Sequence, residues 1–245
     1  MSRAHLSRGA LVDSTRTSLA VALAEAARMI DGSSSVEDTL AAIAAAAAVS
    51  VPDIDQVGIS VIHRGGEIET RAATGQLVWD LDGLQYELGE GPCVSAMLDE
   101  PVVVVDDIRN DQRWPRFAPR AAAAGLRAQM AVRLYHEDST IGALNMYATE
   151  ATTIHRDAPE AAELFAAHAA LALGRARREE QLHEALQTRK LIGQAIGVLM
   201  ERYGIDEDRA FGFLVRASST SNVKLREVAR EVVDRTNQGR RGATS

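Results

Sequence analysis

The sequence contains a single cysteine, Cys93, and no apolar run long enough to cross a membrane. One thiol forms no internal disulfide and builds no cysteine-based zinc site by itself, so we expect a reducing compartment. A membrane-spanning helix needs about 18 consecutive apolar residues. The longest candidate, residues 40–51, is mostly alanine and contains Ser50. The first thirty residues also lack the uninterrupted apolar core of a signal peptide. These absences predict a cytoplasmic protein.

Lysine is missing from the first 174 residues, and the charges are unevenly distributed. Residues 1–174 carry 13 arginines and 24 acidic residues, a net charge of -11, whereas residues 175–245 carry 14 basic and 10 acidic residues, a net charge of +4. The composition, 46% hydrophobic and 25% charged, excludes a disordered or collagen-like chain. The overall charge of -7 argues against a nucleic-acid partner. The basic C-terminal part keeps such a partner open, because charge has to be counted for each domain.

Motifs for catalysis, metal binding and cofactor binding are missing as well. The six histidines form no metal-ligand spacing with one another or with Cys93. No nucleophile motif accompanies the serines, and the glycines at 65–66 and 89–91 lack the Lys-Ser/Thr of a phosphate-binding loop. The acidic pair at 106–107 follows a strand without the later lysine of a receiver domain, so we interpret it as a strand-end turn. We therefore expect a protein that is not an enzyme and that holds neither metal nor cofactor.

Hydrophobic periodicity predicts helices around an antiparallel sheet. One helix is expected over residues 15–30, and a second is expected to start at its N-cap, Ser35, and to end near Pro52. Alternating apolar residues predict two hairpins and one short buried strand. The strands are expected at 57–62, 68–73, 101–105, 129–135 and 141–147. Residues 74–92 are expected to form a loop with a short helix near 94–98. This order favours the α+β class, with helices flanking an antiparallel sheet.

From Asp157 to about residue 238 the helical period dominates. Spacings that alternate between four and three predict a coiled-coil seam. Its residues are Leu164, His168, Leu171, Arg175, Arg178, Leu182, Ala185, Arg189, Ile192, Ile196 and Leu199. We favour a homodimer paired along this helix over a continuous helix with a weak middle. After Gly204 two shorter helices are expected, the first capped by Asp206 and the second starting at Ser221 or Asn222.

Residues 182–236 contain an ordered series of motifs. They are Leu182 to Leu186, Arg189, Ile192, Gln194 to Arg202, Gly204, Asp206 to Asp208, Ala210-Phe211, Leu214, Arg216 to Ser218, and Leu225 to Val233. This stretch resembles the ANTAR domain of transcription antitermination regulators. The resemblance implies a three-helix RNA-binding module that usually acts as a dimer. Such a module grips paired stem-loops in leader transcripts, so that an overlapping terminator cannot form.

The candidate RNA-binding residues lie in and beside this motif. They are Arg189, Lys190, Gln194, Ala195, Gly197, Arg202 and Arg216. Small and amide side chains allow close approach of an RNA backbone or an unstacked base, and the cations contact phosphates. Alternatively, Ala195 and Gly197 serve helix packing, and the arginines are ordinary surface charges. Ile196 stands where the family most often has lysine, which should weaken phosphate contact or shift it to Lys190 or Arg202.

Residues 35–173 contain a second set of motifs. They are Gly89 to Cys93, Asp106 to Ile108, Arg113 to Phe117, Ala124 to Leu126, and Ile141 to Tyr147. This stretch resembles a GAF domain of the actinobacterial type that precedes ANTAR domains. The resemblance implies a six-stranded antiparallel sheet with a pocket on one face, and it implies no particular ligand. Cys93 is expected at a helix N-terminus, where it is either a thiolate-prone redox sensor or a small packed residue.

The combined motifs predict five segments. They are an N-terminal helix (1–34), a GAF sensor domain (35–173), a linking signalling helix (160–190), an ANTAR RNA-binding domain (182–238) and a disordered tail (239–245). The expected function is signal-responsive transcription antitermination. The GAF domain senses a small-molecule ligand or a redox signal, and the dimeric ANTAR domain binds stem-loop RNA. The alternative is a ligand or redox sensor whose ANTAR-like tail serves only dimerisation or protein docking, and DNA binding by the tail is a weaker third hypothesis.

Overall fold

The computed structural model describes residues 35–63 and 65–242. The chain divides into two compact units, Met1–Ala176 and Arg177–Ser245. The helix expected over residues 15–30 lies outside the described residues. Within the described part of the chain, no helix is long and apolar enough to cross a membrane.

The N-terminal unit is an antiparallel sheet with helices on both faces. Its helices are α1 (Val36–Ser50), α2 (Gln76–Leu88), α3 (Pro92–Leu98) and α4 (Phe117–Ala123), with a 3-10 turn at Ile108–Asn110. Its strands are β1 (Gln56–Ile62), β2 (Ile68–Ala73), β3 (Val102–Val105), β4 (Ala128–His136) and β5 (Ser139–Ala148). The order across the sheet is β2-β1-β5-β4-β3, and all pairs are antiparallel. The α+β prediction and both hairpins are confirmed. The described residues form five strands, where the GAF resemblance implied six.

Side chains along each strand point alternately to the two faces of the sheet, and each face has its own apolar core. Val57, Ile59 and Val61 of β1 pack with residues of α1 and with the first part of a long helix, α5 (Ala158–Tyr203). The opposite face is covered by α2, α3 and α4, whose apolar residues pack with Ala131 and Tyr147 of the sheet. The first helix starts as predicted, because the Ser35 hydroxyl accepts a hydrogen bond from the backbone N–H of Asp38 at 3.1 Å.

Helix α2 was not predicted, since residues 74–92 were expected to be mostly loop. Its buried positions are Val78, Leu81, Asp82 and Gln85, so half of its inner face is polar. Such a face does not produce the apolar period by which helices are recognised. Gly89 ends the helix in the left-handed conformation, with φ of 63°.

The C-terminal unit contains the last part of α5 and two further helices, α6 (Glu207–Ser221) and α7 (Leu225–Gly242). Its small core is aliphatic and consists of Ala195, Leu199, Ala210, Leu214 and Ala229 with partly buried neighbours. Asp206 caps α6 as predicted, by accepting a hydrogen bond from the N–H of Arg209 at 2.9 Å. The predicted start of the next helix is wrong. Asn222 is the left-handed C-cap of α6, and α7 begins at Leu225 and continues beyond residue 238 to Gly242.

The predicted coiled-coil seam is not one continuous surface in this chain. Leu164, Leu171 and Leu182 are 42%, 46% and 60% exposed. Leu199 is buried, and Ile192 and Ile196 pack against the same core of the C-terminal unit. The end of the predicted seam is therefore occupied by contacts within the chain, and only its first part is open to a partner.

Candidate functional site

A buried polar cluster lies on the face of the sheet that α2 and α3 cover. Its centre is Asp82 of α2, which is fully buried. The carboxylate accepts hydrogen bonds from the Tyr147 phenol, from the Thr70 hydroxyl at 2.7 Å and from the Asn145 amide at 2.9 Å. No residue that the structure describes forms an ion pair with Asp82. The negative charge of this side chain is balanced only by dipoles.

Strand register provides the room for this carboxylate. Asn145 of β5 lies opposite Gly58 of β1 and Ala131 of β4, two residues with little or no side chain. A Cβ atom at Gly58 would lie 2.5 Å from Cγ1 of Val78 and 3.2 Å from Oδ2 of Asp82. The glycine therefore lets α2 approach the sheet closely enough for Asp82 to reach Asn145.

Burial without a cation changes the acid–base properties of the cluster. It raises the pKa of Asp82 from 3.8 to about 6, although the hydrogen bonds from Tyr147 and Thr70 partly offset this effect. Burial together with the charge of Asp82 raises the pKa of Tyr86 and that of Tyr147. Both phenols consequently remain protonated at neutral pH, and Asp82 is the group of the cluster that titrates nearest to neutrality.

A hydroxyl and three amides complete the cluster. The Ser60 hydroxyl lies 2.5 Å from the Tyr86 phenol and accepts a hydrogen bond from the Asn145 amide at 2.8 Å. The Gln85 carbonyl accepts hydrogen bonds from the backbone N–H of Cys93 at 2.9 Å and from the Gln129 amide at 3.5 Å.

Two buried acceptors remain open, namely Oδ1 of Asn145 and Oε1 of Gln129, which have no partner among the described residues. Buried polar atoms normally have hydrogen-bond partners. Asn145 and Gln129 therefore keep unused hydrogen-bonding capacity inside the cluster.

Cys93 belongs to this cluster as a packed residue. It follows Pro92 at the start of the seven-residue helix α3, and its side chain is fully buried. Its thiol lies 3.8 Å from the Ser60 hydroxyl. Burial and the nearby charge of Asp82 raise the pKa of the thiol. This environment agrees with the small packed residue that was the alternative interpretation of the sequence, and it disfavours a thiolate, because burial removes the solvent that would stabilise the charge.

A second candidate site is a polar cleft of about 550 Å³ between α5 and α7. Its lining residues are His183, Glu184, Gln187, Thr188, Lys190, Leu191, Gln194, Arg226, Glu227 and Arg230. Lys190 and Gln194 are one turn apart and were predicted as RNA contacts. Arg226 was considered only as surface charge, and Arg230 was not identified.

Two of the arginines of α7 are paired with one glutamate. Glu227 forms ion pairs with Arg226 at 3.2 Å and with Arg230 at 3.0 Å, at the edge of the cleft. Their spacing of i and i+4 is visible in the sequence, but only the fold shows that they face Lys190. The cleft thus brings three cations, two glutamates and the amides of Gln187 and Gln194 to one place.

The remaining predicted RNA contacts lie outside the lining of the cleft. Arg189, Arg202 and Arg216 are exposed. Ala195 is fully buried in the core of that unit, so it packs between helices as the alternative interpretation held and presents no side chain to RNA. Gly197 is exposed, and a Cβ atom there would meet nothing within 4 Å.

Ile196 does not face the cleft. Its side chain is partly buried against the core of the C-terminal unit. It lies six positions after Lys190, which places the two side chains about 120° apart around the helix. Isoleucine in place of lysine at position 196 therefore does not lower the positive charge of the helix face that carries Lys190.

Among the described residues, no group of three or more His, Cys, Asp or Glu side chains is placed to hold a metal ion.

Comparisons with known proteins agree with the two-part organisation. The GAF domain model matches residues 33–174, and the ANTAR domain model matches residues 180–233. No curated protein gives a significant match.

Several solved structures share the fold of the N-terminal unit. The GAF domain of a phosphoenolpyruvate-protein phosphotransferase from Coxiella burnetii has a TM-score of 0.55 at 15% identity, covering 67% of this chain and 98% of that one. The phycoerythrobilin-bound GAF domain of a cyanobacterial phytochrome has a TM-score of 0.52 at 16% identity, covering 66% and 97%. Free methionine-R-sulfoxide reductase from Neisseria meningitidis, in complex with its substrate, has a TM-score of 0.50 at 19% identity, covering 64% and 89%. At these identities the likeness shows the fold alone.

Both matched domains are regulatory ones, and they follow one another in the order that the sequence motifs indicated. The GAF model accounts for more than half of the chain, and the sheet topology agrees with it. The chain therefore belongs to the GAF domain family and carries an ANTAR domain behind its GAF domain, as a regulator with a sensory domain and an RNA-binding antitermination module.

Proposed function

We propose that this protein is a signal-responsive antitermination regulator that binds stem-loop RNA in leader transcripts through the cleft between α5 and α7. The observation that carries the proposal is the convergence of Lys190 and Gln194 of α5 with Arg226 and Arg230 of α7 around this cleft. The function is one of binding rather than catalysis.

The chemistry of the cleft suits a structured RNA. Cations that neutralise phosphates supply most of the affinity for nucleic acid, and they make it depend on salt. An amide such as that of Gln194 both donates and accepts, so it can recognise a base edge in an RNA loop. Lys190 is exposed and forms no ion pair with any residue that the structure describes, so its charge is available to a phosphate.

The buried polar cluster is the site where we place the sensed signal. Its open acceptors, on Asn145 and Gln129, favour a small molecule with hydrogen-bond donors. Because Asp82 and Gln85 both lie on α2, a molecule that takes over their hydrogen bonds would change how this helix packs on the sheet. A redox signal is not favoured, since the thiol of Cys93 is buried.

We also propose that the protein is a homodimer paired along α5. Leu171, Leu182 and Leu186 are 46%, 60% and 65% exposed on this helix, and removal of their apolar surface from water would favour pairing. A second copy that packs the same residues against each other would cover them.

The proposed RNA site is tested by binding of the full-length chain to hairpin RNAs selected from its genome, over a salt series and with duplex DNA as competitor. Lys190→Ala, Arg226→Ala and Arg230→Ala should each weaken binding and lower the slope of log affinity against log salt by about 1. The matched control is Arg235→Ala on α7, which removes an exposed arginine outside the cleft, paired with Glu231.

Three results would contradict this proposal. If the wild-type dimer binds no hairpin, the tail serves dimerisation or protein docking. If duplex DNA competes as well as hairpin RNA, the tail is a DNA-binding unit. If Arg235→Ala weakens RNA binding as much as the cleft variants do, the attraction is a general effect of positive charge and the cleft is not the site.

A further inference from the structure

Every aromatic side chain of the C-terminal unit lies on its surface. Between residues 177 and 245 the sequence has only Tyr203, Phe211 and Phe213, which are 59%, 44% and 46% exposed. A unit with so small a core normally buries its largest apolar side chains first. Here the core is built from alanine and leucine instead, with partly buried leucine, isoleucine and valine around it, so the rings are placed where a partner can reach them.

Two of these rings form a pair. Tyr203 ends α5 and Phe213 lies in the middle of α6, and their ring centroids are 6.3 Å apart with an angle of 31° between the planes. Both rings keep about half of their surface in solvent. The pair therefore presents adjacent aromatic surfaces at the junction of two helices.

One arginine contacts this pair, and two others share a helix face with Phe213. The Arg202 guanidinium lies 6.0 Å from the centroid of the Tyr203 ring. On α6, Arg209 and Arg216 stand at i-4 and i+3 from Phe213, positions that share one face of a helix. Arg209 lies 3.6 Å from the Asp206 carboxylate, whereas Arg216 has no ion pair among the described residues. Rings with cations beside them are the pattern by which proteins hold unpaired nucleotides, since bases stack on the rings and phosphates meet the cations.

A second copy of the chain fits this surface less well. A symmetric contact would place the same patch against itself. Arg202, Arg209 and Arg216 would then face their own counterparts, and like charges brought together oppose association. Charge complementarity therefore selects a polyanion as the occupant.

We infer that Tyr203 and Phe213 form a stacking surface for unpaired bases of the bound RNA, with Arg202 and Arg216 holding the flanking phosphates. This inference rests on the proposed RNA-binding function, and it adds base contacts to the phosphate contacts of the cleft. The cleft supplies affinity for phosphates that does not depend on the bases, and the ring pair adds affinity that depends on the presence of bases in the loop.

The test uses the full-length chain and two sets of hairpins with the same stem and the same number of phosphates. One set has randomised loop bases, and the other has an abasic loop. We expect the wild type to bind the abasic hairpins roughly 5- to 100-fold more weakly. Tyr203→Ala and Phe213→Ala should bind the hairpins with intact loops more weakly than the wild type by a similar factor. Their affinity for the abasic hairpins should be almost the same as that of the wild type. Tyr203→Phe and Phe213→Tyr should retain binding, since both keep a ring.

Phe211→Ala is the matched control. Phe211 has the same side chain, the same helix and nearly the same exposure as Phe213, but Glu207 and Asp208 stand one turn before it. This variant should bind both sets as the wild type does.

Each contrary result has its own meaning. If the wild type binds intact and abasic loops equally well, the stacking inference is wrong while RNA binding stands. If no hairpin binds, the proposed function fails and this inference fails with it. If Tyr203→Ala or Phe213→Ala turns a dimer into a monomer in sedimentation, the rings belong to a subunit interface and the inference is overturned.

Discussion

The phenol of Tyr147 donates a hydrogen bond to the carboxylate of Asp82, and both side chains are fully buried. The bond joins strand β5 to helix α2 across 65 positions of sequence. Burial and the charge of Asp82 raise the pKa of Tyr147, so the phenol remains a donor throughout the pH range in which the protein is studied. Asp82 is then the member of the pair whose charge changes with pH, and its state determines how strongly α2 is held on the sheet.

The stability of the N-terminal unit should carry a contribution from Asp82 that falls as the pH rises. Between pH 3.8 and about 6 the folded state keeps the proton that the unfolded state loses. The unfolded state therefore binds fewer protons in this window, and the free energy of unfolding decreases with rising pH. Above about pH 6 the ionised Asp82 lowers the free energy of unfolding by its full amount, about 3 kcal/mol.

Asp82→Asn isolates this contribution, because asparagine keeps the shape of the side chain and carries no charge. Urea unfolding of both proteins from about pH 4 to about pH 7 should show that the variant gains stability relative to the wild type as the pH rises. Other carboxylates, such as Glu90 with its lowered pKa, act equally in both proteins and cancel in the difference. A difference that does not change with pH would contradict the assignment.

Removal of the phenol should destabilise the fold. Tyr147→Phe takes one donor from a buried carboxylate and should cost about 1–3 kcal/mol in the free energy of unfolding, because the acceptor loses a partner that water cannot replace. It should also raise the pKa of Asp82 further, since the hydrogen bond from Tyr147 lowers it.

The matched control for this variant is Tyr135→Phe on β4. Tyr135 is 54% exposed, so its loss of a hydroxyl should change stability by no more than about 0.5 kcal/mol. Equal effects of the two substitutions in chemical unfolding would show that the bond to Asp82 contributes nothing.

The thiol of Cys93 should be unreactive in the folded protein. Burial raises its pKa, so thiolate, the reactive form, is scarce, and the side chain offers no surface to a reagent. A thiol-specific reagent at pH 8 should label the chain only as fast as the N-terminal unit opens, and should label the urea-unfolded chain at once. Rapid labelling of the native chain would restore the redox hypothesis.

The sequence predicts those parts of the fold in which apolar residues follow a simple period. Val57, Ile59 and Val61 alternate with smaller residues, and they pack against α1 and α5 as a strand with one apolar core face should. Apolar periodicity does not predict helix α2, because Asp82 and Gln85 occupy its inner face. The buried polar cluster therefore makes its own helix hard to predict, since its polar groups interrupt the apolar pattern that marks a buried helix face.

The proposed RNA site is only partly predicted by the sequence, for a different reason. Lys190 and Gln194 lie in one motif on one helix, so a linear pattern finds them together. Arg230 joins Lys190 only where α7 packs against α5, and Tyr203 meets Phe213 only where α6 packs against α5. Periodicity predicts which face of each helix is buried, but it does not say which exposed faces become neighbours.

Gly197 gives a test that separates RNA contact from packing. On α5 it lies seven positions after Lys190 and three after Gln194, so all three share one side of the helix. A Cβ atom at Gly197 would meet nothing within 4 Å, so Gly197→Ala should fit the fold. It should even raise the free energy of unfolding by about 0.5–1 kcal/mol, because alanine favours helices.

The same substitution should weaken RNA binding by roughly tenfold, about 1.4 kcal/mol, if the bound backbone passes over the glycine. Gly193→Ala probes the same face one turn earlier, because Gly193 lies four positions before Gly197 and is also exposed with open space at its Cβ position. Both variants should be stabilised in thermal unfolding, and both should bind hairpin RNA more weakly than the wild type in titrations. Affinities equal to that of the wild type would show that the RNA does not approach this face closely, and would leave Lys190 and Gln194 to act at longer range.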